Sequence, residues 1–434
     1  MIRINEKYQK IIRPERIIQI GEGVFLRGFF DWMLQKLNDS GTFSGNAVIV
    51  QPREGNKCAP FTEQDCLYTH IIRGAEGTES TIINSVSRIM NPYDDFGAFL
   101  ALADEPDMRF IVSNTTEAGI VYDRSDKMTD CPNVTYPAKL TSLLYRRYTN
   151  GMDGFIVLPC ELTENNGDTL KKIVLRYADD WKLENGFAEW INKSCVFCNT
   201  LVDRIVTGAP KDEKPDLGYE DKLLDASEYF HLWVIEAGDD VRNELPFDKA
   251  GLNVKFVDDL SPYHTRKVRI LNGAHTSMVC LGLNSGLKTV GDCMNDEKVK
   301  EFVRQCIFDE IIPTLDLPES ELVSYANDVL TRFKNPYIKH ALASISLNSV
   351  SKFKVRVLPS IIEYRKRFGR NPACLSASLG ELIRFYKYGD PNDDDGIINE
   401  MRSLSAEDIL KKTEWWGVDL SFLKEEVIPY ASER

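Results

Sequence analysis

The chain has little histidine, no excess of positive charge and no long apolar run, and each lack removes a class of function. Its five histidines (His70, His231, His264, His275, His340) form no His-x-x-x-His pair, the spacing that sets two imidazoles on one helical face for zinc. No metal cofactor is expected. Asp and Glu outnumber Lys and Arg by 66 to 53, a net charge of −13, which argues against binding to nucleic acid or to an anionic membrane surface. No apolar stretch reaches the about 20 residues that span a bilayer. The first thirty residues carry neither the apolar core nor the small-residue cleavage site of a signal peptide, so a cytoplasmic protein is expected. Ten cysteines are scattered from Cys58 to Cys374, and only Cys195 and Cys198 stand close. With no second Cys or His pair at zinc spacing, that pair reads as part of a strand and the ten as reduced small hydrophobes.

The patterns that are present point to two domains. At 434 residues, 43% hydrophobic and 27% charged, the chain is an ordinary globular sequence too long for one small core. "RIIQIG" (16–21), "VFLRGFFDWMLQKLN" (24–38) and "NAVIVQP" (46–52) read as strand, helix and strand, a βαβ unit. "FGAFLALAD" before "MRFIVSNTTEAG", and "YPAKLTSLLYRRYT" before "GFIVLPCEL", repeat the alternation. That implies a mostly parallel sheet covered by helices. "YTHIIRG" and "TESTIINSVSRIM" read as extended strands of an inserted or antiparallel element. From about residue 262 helical periodicity takes over. The expected fold is an α/β Rossmann-type domain over residues 1–261 followed by a mostly α-helical substrate domain over 262–434.

"IGEGVFLRGF" (20–29) ends the first strand and opens the first helix. Gly21 would allow the tight turn, and Gly23 the close approach of a pyrophosphate to backbone N–H groups at the positive helix end. A third glycine is missing from its usual place, where Leu26 stands, and Gly28 follows two residues later. The second strand should end in an acid for the adenosine ribose of NAD, but "VIVQPREG" offers Gln51. Gln51 can still bond a ribose hydroxyl, and Arg53 could instead meet the extra phosphate of NADP or be a solvated loop charge. The reading is NAD, with NADP left open.

"KVRILNGAHTSMV" (267–279) places Lys267, Asn272 and His275 on one side of a helix among apolar residues. Projecting polar groups into such surroundings is costly unless something polar meets them. A desolvated lysine with a lowered pKa can take the proton of an alcohol as hydride leaves, Asn272 can donate to the developing alkoxide, and His275 can orient a neighbouring hydroxyl. The alternative is that Lys267 pairs with Asp258 or Asp259 and His275 is a core histidine. In "SVSKFKVR" (349–356) Lys352, Lys354 and Arg356 alternate with apolar residues, and Lys352 and Arg356 could hold a substrate carboxylate. "DPNDDDG" (390–396) lacks the glycine and glutamate of a calcium loop and reads as a solvated turn.

Taken in order, "GEGVFLRGF", "NTTEAG", "CELTENNG", "LVDRI", "LWVIE", "KVRILNGAH" and "RFKNPYIKHALASISLNSVSKFKVRVLP" resemble the polyol-specific long-chain dehydrogenases, the mannitol dehydrogenase family, from about residue 16 to residue 360. The resemblance implies metal-independent hydride transfer with NAD. It implies a cofactor site of Gly21, Gly23, Val24, Phe25, Gln51, Thr115, Thr116 and Glu117, with Lys267 as general base. Asn272 and Asn166 would be oxyanion donors and His275 an orienting group. Asp203 falls where relatives contact substrate, though it could equally be a structural acid paired with Arg204. Departures at Cys160-Glu161-Leu162, where relatives commonly have Cys-Asp-Asn, and at Ser344, near a common arginine, point away from mannitol. The likeness is greatest to the hexuronate branch, so the expected partner is a small-molecule sugar acid and the expected reaction interconverts D-tagaturonate and D-altronate. Alternatives are fructuronate/mannonate or mannitol as substrate, or a phosphogluconate-type hydroxyacid dehydrogenase, which also pairs Lys with Asn on a helix. The oligomeric state stays open, and a monomer is compatible with every role named.

Overall fold

Short uninterrupted apolar runs in the N-terminal half become strands buried on both faces. In a computed structural model, which describes residues 2–116, 118–211 and 215–432, six strands form a wholly parallel sheet: β1 Glu15–Ile20, β2 Asn46–Val50, β3 Val86–Met90, β4 Phe110–Ser113, β5 Ile156–Pro159 and β6 Val196–Phe197. Their order is β3-β2-β1-β4-β5-β6, so the chain reverses direction across the sheet between β1 and β4. Alternate residues feed two cores. Ile17, Ala47, Ile49, Val112 and Leu158 face one, and Ile18, Val48, Val50, Ile111 and Val157 the other. This period of two is why such strands read as continuous hydrophobic runs.

The chain divides into two compact units, one ending at Leu260 and the other beginning at Ser261. The first unit carries two further small sheets. Tyr68–Gly74 and Gly77–Ile83 form an antiparallel hairpin joined by Asp225–Ser227, and Asn199–Asp203, Leu232–Glu236 and Val254–Val257 form a three-stranded sheet. Cys195 and Cys198 flank β6 as buried thiols, and burial pushes both up to about 12.

The second unit is built of helices. Its middle is Gly273–Asn284, buried from Gly273 to Cys280. Asn284 Nδ2 ties it to Glu381 of the helix Ala373–Tyr388 through the main-chain oxygen at 2.9 Å and Oε2 at 2.8 Å. "SVSKFKVR" is a helix, Ser349–Arg356, so its alternation of charge does not mark a strand. In "DPNDDDG", Asp394 caps the helix Asp395–Ser403 by accepting from Gly396 N and Ile397 N. Among the described residues no helix is long and apolar enough to cross a membrane.

Candidate active site

The glycine-rich turn sits at the carboxyl end of β1, beside the reversal point of the sheet. Gly21 has φ +129, and a Cβ there would lie 2.9 Å from Asn114 O in the loop after β4. Only glycine fits both the dihedral and that approach. Gly23 stands at the N-cap of Val24–Leu26 with no side-chain cap, and a Cβ on it would meet nothing within 4 Å. The helix continues through a π turn, Arg27–Asp31, into Trp32–Asp39. Uncapped N–H groups at a helix start, with open space above them, fit the pyrophosphate of a dinucleotide. Gly28 has a packing role: a Cβ there would come within 2.9 Å of Val206, His70 and Asp225. Val24 is exposed, and Phe25 stacks on Phe29 at 5.1 Å.

Several residues of this unit expected at the cofactor or substrate have other partners. Gln51 is buried and folds the loop that follows it: Nε2 donates to Arg53 O at 2.7 Å and Gly55 O at 2.9 Å, and Oε1 accepts from Lys57 N at 3.0 Å. The side chain that was expected at the ribose has both its amide hydrogens committed to this loop. Thr115 is also buried, and both its N–H and its hydroxyl donate to Glu161 Oε1 at 2.9 Å. Ser113 donates to the other oxygen at 3.1 Å, and burial raises the Glu161 carboxyl. Thr116, at φ 76, is exposed, and Glu117 lies outside the described residues. Glu161 is thus a positioning residue of the loop beside Gly21, a role that the sequence comparison missed. Its signal was Ser113-x-Thr115 at a strand end followed by a lone buried acid.

Asn166, expected as an oxyanion donor, is tied to main-chain groups in this structure. Nδ2 reaches Pro159 O and Glu161 O at 2.9 Å and Thr200 O at 3.2 Å, while Oδ1 accepts from Gly167 N and Thr200 N at 2.9 Å. Two amide hydrogens cannot serve these carbonyls and a substrate oxygen as well. Asp203 ends its strand buried. Its structural alternative, a pair with Arg204, is not formed: Arg204 bonds Gly28 O at 2.8 Å and Glu228 O at 2.9 Å and stacks on Trp32 at 4.1 Å.

In the second unit the segment carrying Lys267 and Asn272 is a π turn, Lys267–Asn272, between α-helical Ser261–Arg266 and Gly273–Asn284. The N–H of Gly273 reaches back to Val268 O, five residues earlier. In a regular α-helix Asn272 would stand well around the barrel from Lys267, whereas i→i+5 bonding returns residues five apart to one side. The turn therefore places Lys267 and Asn272 on one side of the helix. Both are half-buried. His275 is buried against Phe333 at 4.4 Å and His340 at 5.0 Å, and burial lowers the His340 pKa, so that ring stays neutral.

The helix Ser349–Arg356 meets this turn. A Cβ on Gly273 would lie 3.2 Å from Arg356 O, so the glycine permits the contact. Lys352 and Arg356, four apart, share a face. Lys352 Nζ donates to Ile345 O at 2.9 Å, and burial and the neighbouring Arg356 lower its pKa. The Arg356 guanidinium is half-buried, without a hydrogen bond or ion pair among the described residues. Asp393 also acts on Lys352, and two cations on one face, the guanidinium without an ion pair, suit an anion. One group of metal-type donors comes together among the described residues, Cys306, Glu310 and Cys374. Glu310 there caps a helix, accepting from Cys374 N at 2.8 Å and Leu375 N at 2.7 Å, and burial holds the Cys306 thiol well above its ordinary value.

Two domain families match nearly the whole chain: the mannitol dehydrogenase Rossmann domain over residues 15–249 and the mannitol dehydrogenase C-terminal domain over residues 259–413. Altronate oxidoreductase of Bacillus subtilis (strain 168) is 46% identical over 431 residues, 94% of this chain and 89% of that protein. Altronate oxidoreductase of Enterobacter sp. (strain 638) is 49% identical over 387 residues, 86% of this chain and 80% of that protein. Among solved structures, D-sorbitol dehydrogenase in its substrate-free form aligns with a TM-score of 0.85 at 22% identity, over 99% of this chain and 97% of that one. The mannitol 2-dehydrogenase of Pseudomonas fluorescens, solved as a ternary complex with NAD and D-mannitol, aligns with a TM-score of 0.70 at 23% identity, over 96% and 91%. These two likenesses establish the fold.

Proposed function

This chain belongs to the mannitol dehydrogenase family, and from that premise we propose that it is a cytoplasmic, NAD-dependent enzyme interconverting D-tagaturonate and D-altronate. The oxidoreductase class acting on a CH–OH group follows from the family and from its altronate oxidoreductase relatives. The observation that carries the chemistry is the π turn over Lys267–Asn272, whose geometry favours an amine and an amide on one side. Gly21, Gly23 and the helix start at Val24 would hold the nicotinamide cofactor, which when bound supplies or accepts the hydride.

In the direction of reduction, protonated Lys267 donates a proton to the oxygen of the substrate's keto group as that oxygen gains charge. Asn272 donates an N–H to the same oxygen and stabilises the charge while it develops. His275, fixed in its aromatic setting, orients a neighbouring hydroxyl. Lys352 and Arg356 hold the carboxylate, which separates a sugar acid from a neutral polyol. In oxidation Lys267 takes the proton back. The roles of Asn272 and Asn166 thereby part: the first acts on the reacting oxygen, the second holds the frame.

The deciding measurement is NADH oxidation with tagaturonate, fructuronate and fructose, repeated with NADPH. Tagaturonate with NADH is expected to give the highest kcat/KM by about tenfold or more, about 1.4 kcal/mol of discrimination. A preference for fructuronate or fructose would replace the substrate assignment, and a preference for NADPH would replace the cofactor.

A further inference from the structure

A second cationic site lies on the other side of the same π turn. A groove of about 850 Å³, within the range of ligand sites, runs along the second unit beside the Lys267–Asn272 turn. Four cations line it, Arg269, Lys354, Lys366 and Arg367, against two acids, Asp316 and Glu363. Both acids are already engaged. Arg367 meets Asp316 and Glu363 at 2.8 Å each, and Lys366 lies 3.5 Å from Glu363. That leaves four cations against two acids, with Glu363 also acting on Arg269 from a distance. Lys354 makes no hydrogen bond or ion pair among the described residues, and Arg269 Nη1 is buried with no hydrogen-bond partner. A buried guanidinium N–H without an acceptor is costly in a folded protein, so an acceptor supplied by a ligand would relieve it. Apart from Thr265 and Thr314 the rest of the groove is apolar, with Leu358, Pro359 and Ile362 along it.

This groove is not the face read above as the substrate site. Arg269 stands two residues from Lys267, and Lys354 two from both Lys352 and Arg356. Residues two apart on a helical turn point to roughly opposite sides. We propose that the groove binds a small organic anion, whose charged group meets Arg269 and Lys354 and whose carbon skeleton lies on Leu358, Pro359 and Ile362. The inference stands independently of the reaction proposed above, since it uses none of the residues assigned to that reaction.

The test is calorimetric titration of the full chain with three probes: phenylacetate, phenyl phosphate and inorganic phosphate. At least one of the two aromatic anions is expected to bind with a Kd of about 1 mM or tighter, and whichever is tighter tells carboxylate from phosphate. Inorganic phosphate, lacking the apolar body, is expected to bind more weakly. Lys354→Gln and Arg269→Gln should each weaken the binding about tenfold, and Arg269→Lys should recover part of the loss. Lys354→Gln keeps the test decisive if Arg269→Gln does not fold. Absence of binding by all three probes overturns the proposal. So does binding that survives both glutamine variants but is lost in Lys352→Gln, which would place the anion at the substrate face.

Discussion

Asn166, at the start of a helix in the first unit, has both amide hydrogens and its oxygen committed to main-chain groups. Arg356, at the end of a helix in the second, has no hydrogen bond or ion pair among the described residues. The same contrast separates Gln51, Thr115 and Glu161, all tied into loops, from Arg269, whose Nη1 is buried and unmatched. Around the glycine turn these matched side chains tie down the loops of the first unit, and the backbone N–H groups at the helix start after Gly23 have no side-chain cap. In the second unit the two under-matched groups, Arg356 and Arg269, are cations, which suits the anionic partner proposed above. On the reading proposed above, a scaffold for a cofactor and a surface for a sugar acid would use these polar residues in opposite ways.

The largest effect that would sharpen this contrast belongs to Lys267. Lys267→Ala should lower kcat for tagaturonate reduction about 10²–10⁴-fold, the range for general acid–base groups, with little change in the thermal transition. A loss within about tenfold would take lysine out of the proton-transfer role. The two asparagines come next, and they should part company. Asn272→Ala is expected to cost about 10²-fold in kcat, as for a lost oxyanion donor, and to leave stability nearly intact. Asn166→Ala should do the reverse: it leaves buried carbonyls and N–H groups unpaired, destabilising the fold by about 1–3 kcal/mol for each, read as a lowered Tm. If Asn166→Ala instead lowered kcat in a fully stable protein, the frame-versus-surface distinction would break.

A smaller, graded effect concerns the carboxylate. Arg356→Met and Lys352→Met should each raise KM for tagaturonate about 10–100-fold, from about 1.5–3 kcal/mol per charge-assisted bond, while kcat falls less. Activity on a neutral ketose such as fructose should be far less affected. Equal losses on both substrates would mean that these cations do not read the carboxylate.

How much of this was legible in the sequence follows the same division. The parallel sheet and the glycine turn were readable because apolar runs of four to six residues and a strand-turn-helix context are local signals. The partners of Gln51 and Asn166 were not legible, because a side chain's type does not say whether its partner is a ligand or the chain itself. Those bonds join residues such as Asn166 and Thr200, 34 positions apart. The π turn left no mark either, since nothing in "KVRILN" distinguishes i→i+5 from i→i+4 bonding. A wheel drawn at the α-helical angle put Lys267 and Asn272 on one side of the helix but well apart on it, and i→i+5 bonding narrows that angle. Arg269 escaped notice for a related reason, as its want of a partner shows only once its surroundings are packed.

The frame itself has a weak point, and the smallest predicted effect tests it. Asp31 lies in the π turn behind the glycine loop, fully buried, and burial pushes its carboxyl up to about 7 despite a 2.7 Å hydrogen bond from Tyr68. Unfolded, the same group titrates near 3.9. Between those values the folded chain holds a proton that the unfolded chain has lost. The stabilisation is therefore complete below about pH 4 and fades as pH rises through 7. From pH 5 to pH 8 this amounts to a loss of about 2–3 kcal/mol. Asp31→Asn keeps an acceptor for Tyr68 and cannot ionise, so its thermal transition should fall less over that interval than the wild-type transition. The raised carboxyls of Glu161 and Glu310 act in the same direction and remain in the variant, leaving some slope. If both proteins lost the same Tm between pH 5 and pH 8, Asp31 would be charged in the folded frame. The first unit would then tolerate an ionised, under-matched group in its core, as the second does at its surface.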